Sequence, residues 1–100
     1  MSHWVEVQEA VQAADDLAGV PEQWQTVHKT WGDVRPLSGR EYVQAQAMQA
    51  DVTHIVTTRL MSGANPRQRL LIDDRVFEIE SVVNVQEAGR WSQWRCREAV

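Results

Sequence analysis

A chain of 100 residues, 43% hydrophobic and 24% charged, has the size and composition of one small folded domain, residues 1–100. These values exclude a disordered chain, a collagen-like repeat and a coiled-coil rod. The net charge of −4, with no basic run, argues against binding along a phosphate backbone, and no apolar run approaches the about 20 residues that span a bilayer.

Val5, Val7 and Val11 alternate with Glu6, Gln8 and Gln12, the period-2 pattern of a half-buried strand. From Ala13 to Pro21 that pattern stops, and acids, Gly19 and Pro21 indicate a long exposed connection. The Trp-, Thr- and Val-rich stretch from Trp24 to Val34 predicts a second strand, with a bulge at Gly32 and an end at Pro36. Ser38-Gly39-Arg40-Glu41 has the form of a capping box, in which Ser38 accepts a backbone N–H and Glu41 reaches back to the cap. Good helix formers then run from Tyr42 to Ala50. Both faces of that helix are partly apolar, with Tyr42 and Met48 off the Val43/Ala47/Ala50 face. A weak helix, or one placed between its own sheet and a neighbouring subunit, fits this pattern.

The β-branched run Val52 to Met61 predicts the third strand. Ser62 to Pro66 reads as a loop leading into Arg67 and Arg69, Leu70 to Ile72 as a short strand, and Asp73-Asp74 as a tight turn. Phe77, Ile79, Ser81, Val83 and Val85 then alternate with their neighbours, which puts the Phe77/Ile79 set inward. Glu87 to Gly89 turns the chain into a last strand, Trp91 to Glu98. There Trp94 and Cys96 share one face, and Arg95 and Arg97 the other. The expected fold is mainly β: a small antiparallel barrel or sandwich of about six strands, with one short helix between strands two and three.

Reactive groups do not converge. His3, His28 and His54 lie far apart, the H-E-x-x-H and C-x-x-C spacings are missing, and each of the five glycines stands alone. No catalytic residue, metal site or cofactor is expected. Cys96, the one cysteine, fits an apolar filler and a reducing cytosol, and the first residues lack the pattern of a secretory signal. Nine of the ten basic residues are Arg, and there are five Trp. Both types favour interfaces, although a GC-rich genome would give the same Arg excess. Trp91 and Trp94 beside Arg90, Arg95 and Arg97 form either a base-stacking platform or core plus a subunit contact.

Charge is uneven along the chain. Residues 1–51 carry eight acids and three bases, residues 52–100 six acids and seven bases. The acidic connection, with Asp15, Asp16 and Glu22, and the basic loop, with Arg67 and Arg69, are therefore the candidate contact segments, together with Tyr42 and Met48 on the helix.

Several motifs, in order, resemble the head–tail joining (head closure) proteins of tailed bacteriophages. They are Trp24 and Trp31 followed by Val34, Pro36, Ser38-Gly39 and Glu41; Thr53-His54-Ile55 through Arg59; Arg69-Leu70 through Phe77-Glu78-Ile79 to Val82 and Asn84; and Cys96-Arg97-Glu98. The resemblance covers residues 20–98. The turn Asp73-Asp74-Arg75, without Gly, and Leu60 after Arg59 depart from the pattern. The resemblance implies a non-enzymatic virion protein of a phage or prophage, located at the head–tail interface and assembled in the host cytoplasm. It would form a ring on the portal or adaptor, help retain packaged DNA at close range, and dock the tail or a tail terminator. The alternatives are an OB-like module for single-stranded nucleic acid or peptide, and a tail terminator or completion protein.

Overall fold

Alternating apolar residues on short strands must be buried on one face, and here the sheet does so by curling until its first and last strands meet. The computed structural model describes residues 3–11, 23–61, 63–84 and 89–99. Six strands, β1 (His3–Val11), β2 (Gln23–Pro36), β3 (His54–Arg59), β4 (Arg69–Ile72), β5 (Arg75–Asn84) and β6 (Trp91–Ala99), form a closed barrel in the order β1-β2-β3-β6-β5-β4. Every pairing is antiparallel, and β4 closes the barrel onto β1 through Val5 opposite Ile72 and Val7 opposite Leu70. Among the described residues the one helix, α1 (Gly39–Ala47), lies between β2 and β3 in the chain. The expected mainly β fold is the observed one.

The inward side chains Val5, Val7, Val56, Leu70, Ile72, Phe77, Ile79, Trp94 and Cys96 form the core. Burying each large apolar member stabilises the fold by roughly 1.5–3 kcal/mol. Trp94 is fully buried, and its indole Nε1–H donates to Thr58 Oγ1 at 2.9 Å. The Thr58 hydroxyl in turn donates to the Arg59 carbonyl at 2.9 Å, so this buried polar chain is satisfied at both links. As expected, Arg95 and Arg97 point outward from the same strand.

Two bulges shift the alternation in ways the sequence pattern does not anticipate. In β2 the extra residue is Val27, because Val7 pairs with His28 and Gln8 with Thr26. Gly32 is not a bulge. It sits where neighbours on β1 and β3 crowd β2: a Cβ there would meet the Thr57 carbonyl oxygen at 2.9 Å, Thr58 Cγ2 at 3.0 Å and Val5 Cγ2 at 3.1 Å. In β5 the extra residue is Glu80, since Ile79 pairs with Cys96 and Ser81 with Arg95. Beyond it the faces exchange, so Val82 packs on the core and Val83 is exposed, the reverse of simple alternation.

The helix starts at Gly39, with Ser38 as its N-cap and both capping-box bonds formed. It ends at Ala47, before the expected Ala50, because Gln49 turns to φ +55° and Ala50 N–H bonds back to the Ala45 carbonyl. Asp73 and Asp74 make the two-residue hairpin turn with φ of +49° and +63°, a conformation that Asp tolerates better than most residues. The connection holding Asp15, Asp16 and Glu22, and the turn residues 85–88, lie outside the described residues.

The crowding at Gly32 gives a direct test. Gly32→Ala should lower stability by about 1–3 kcal/mol, as overpacking does when backbone is the neighbour. Urea denaturation reads this as a lower midpoint; an unchanged midpoint would mean the three strands do not meet there.

Candidate interaction surfaces

The helix is tethered to the barrel rather than packed on it. None of its residues is buried, and its attachment depends on its first turn. Arg35, near the end of β2, donates to both carboxylate oxygens of Glu41, at 2.6 and 2.9 Å, and the Leu37 N–H bonds the Thr53 carbonyl at 3.1 Å. A groove of about 410 Å³ therefore stays open between α1 and the outer wall of β3, β5 and β6. Leu37, Ala45, Met48, Val52 and Ile55 supply its apolar surface, while Glu80 and Arg95 are its charged lining residues on the strands. That volume falls within the about 300–1,000 Å³ of ordinary binding pockets.

The tryptophans divide into two kinds. Trp94 belongs to the core, so it cannot be half of a stacking platform with Trp91, which instead lies under the Arg59 guanidinium at 5.1 Å. Trp24 carries the Arg69 guanidinium 4.2 Å above its ring, and Arg69 Nε donates to Gln8 Oε1 at 2.8 Å. Trp4 and Trp31 face each other across β1 and β2 on the outside of the barrel, edge to face with centroids 4.9 Å apart. They are 42% and 54% exposed, a large aromatic area to leave in water.

Of the candidate contact residues in the sequence, Tyr42 on α1 and Met48 at its C-cap are exposed, at 55% and 76%, and only Met48 reaches the groove. Arg67 is exposed in the β3–β4 loop, which Asn65 braces by accepting the Arg67 N–H at 2.9 Å. Arg69 is separate from it, held against the barrel wall by Gln8 and Trp24. Asp15, Asp16 and Glu22 fall in the segment outside the described residues. The Trp4–Trp31 pair and the groove escaped the sequence reading; the outward position of Trp4 beside inward Val5 was the available signal. Among the described residues no group of three or more His, Cys, Asp or Glu could hold a metal. No helix there is long and apolar enough to cross a membrane.

A family model described as phage head completion protein matches residues 1–99. In structure the chain is similar to protein SF1141 from Shigella flexneri 2a, solved in solution, with a TM-score of 0.80 and 22% identity over 98% of this chain and 92% of that one. It is also similar to a chain in the virion of a native gene transfer agent particle, with a TM-score of 0.60 and 22% identity over 97% and 94% of the two chains. At such identity these structures establish a shared fold. None of the curated proteins compared with the chain matches it.

Two outcomes follow from the site's chemistry. Hydrogen bonds from Arg35, then from Ser38, hold the Glu41 carboxyl down to about 2 from 4.5. A carboxylate lowered in the folded state contributes stability that is complete above its ordinary pKa and disappears as the pH falls through the folded value. Stability should therefore drop between pH 4.5 and about 2, and Glu41→Gln should flatten that part of an acid-denaturation profile. An identical profile would show that the clamp carries no free energy. Burial pushes the Cys96 thiol up to about 12, so iodoacetamide should label it only in denaturant. Fast labelling of the native protein would contradict its place in the core.

Proposed function

The chain belongs to the phage head completion protein family, whose members are structural proteins of the virion, and on that premise we propose that it closes the filled head. It assembles as a ring on the portal or its adaptor, helps retain the packaged DNA, and offers the surface on which the tail or its terminator docks. It does so as a one-domain structural part, not as an enzyme, at the head–tail interface of particles assembled in the host cytoplasm. The observation that carries this reading is the family match over residues 1–99.

The physical chemistry supports it. A net charge of −4 gives little attraction to phosphate, which favours a seat on protein over a seat on DNA. The exposed indoles and the open groove are surfaces suited to protein contacts. Arg67, exposed on its loop, contributes to partner contact, and the acidic residues Asp15, Asp16 and Glu22 supply a complementary charge. Pairs of this kind are worth about 0–1 kcal/mol each and steer register more than they add affinity.

Removing the gene from its phage or prophage should yield DNA-filled heads that leak and lack tails, and adding the purified protein to such heads should restore joining. Wild-type yields of complete particles without the protein would overturn the reading. Arg67→Glu should keep the native circular dichroism spectrum and reduce joining.

A further inference from the structure

The molecule carries a protruding aromatic pair on one sector of its wall and an unfilled apolar groove on another. The Trp4–Trp31 pair belongs to β1 and β2, whereas the groove lies between α1 and β3, β6 and β5. A ring of identical subunits needs such an arrangement, because each head-to-tail contact joins two different patches. Were the pair to meet its own copy, the contact would be two-fold and would close at a dimer.

We propose that the occupant of the groove is a second copy of this chain: the Trp4–Trp31 pair of one copy seats beneath α1 of the next. This rests on the ring reading above and names its contact.

Apolar surface and charge both favour that partner. An indole brings about 150–250 Å² of largely apolar surface to bury, and the groove presents Leu37, Ala45, Met48, Val52 and Ile55 to cover it. One cross-strand pair farther along β1 and β2, on the same outer face, stand Glu6 and Lys29. Of the groove's charged residues, Glu41 is held by Arg35, which leaves Arg95 and Glu80 to meet a guest. Glu6 can meet Arg95, and Lys29 can meet Glu80, beside the seated indoles. Among the described residues none of these four side chains forms an ion pair within its own copy. The weak packing of α1 lets the groove adjust to its guest without breaking core contacts, since no α1 residue is buried.

The full chain carrying the photoreactive residue benzoylphenylalanine at position 31 tests this. Irradiated at near-millimolar concentration, and again in assembled particles, it should cross-link to another copy between Gln44 and Ile55. The same residue at Val43, exposed on α1 and outside the groove, should give no such product. Filling the groove with Ala45→Trp should lower the yield by about tenfold or more, as expected for loss of an aromatic anchor. Should that variant fold poorly, a charge swap keeps the test: Lys29→Glu should lower the yield, and adding Glu80→Lys should restore it. No copy-to-copy product, a product joining position 31 to position 31, or a product with a different polypeptide in particles would each overturn the contact. Mass spectrometry of the particles keeps the two readings apart. Many copies without the cross-link refute this contact alone, whereas a chain absent from particles refutes the structural role itself.

Discussion

Closure of the barrel by β4 onto β1 is the constraint from which the remaining features derive. That seam is only four residues long, Val5 to Gln8 against Arg69 to Ile72. It nevertheless turns an open sheet with two exposed edges into a wall with an enclosed core. Closure demands sharp curvature, and the chain supplies it with one extra residue in β2, one in β5, and a glycine where three strands converge. Inside the curve Trp94 fills the largest volume, and its one polar atom is satisfied by Thr58.

Because the core is filled by strands alone, α1 is free for another use. Its capping box and the Arg35–Glu41 clamp fix its start, while the rest stands off from the wall. Neither α1, none of whose residues is buried, nor the exposed pair of indoles contributes a side chain to the core. Both make sense when the barrel is completed by neighbours. A small domain has little surface to bury on itself, and the proposed ring would add what the monomer lacks.

Much of this was legible in the sequence, for physical reasons. Local signals act over a few residues: the capping box at Ser38 and Glu41, the Asp73-Asp74 turn, and the alternation that puts Trp94 and Cys96 inward all appear as read. What was missed depends on pairing across the sheet. A bulge at Val27 or Glu80 is defined only by the partner strand, whereas the local pattern alone puts the irregularity at Gly32 and turns Val83 inward. The same holds for the contact surfaces. Arg67 and Arg69 look equivalent in sequence, yet Arg69 is pinned by Gln8, sixty-one residues away in the chain. Trp4 and Trp31 become one feature only through the β1–β2 register.

The central claim is that this barrel is a repeated structural part of the filled head. Cryo-electron microscopy of the head vertex in purified particles addresses it most directly. The account predicts several copies of the six-stranded barrel around the channel, each turning its β1–β2 wall toward the α1 groove of its neighbour. A vertex with no density for the barrel, or with a single copy, would contradict it.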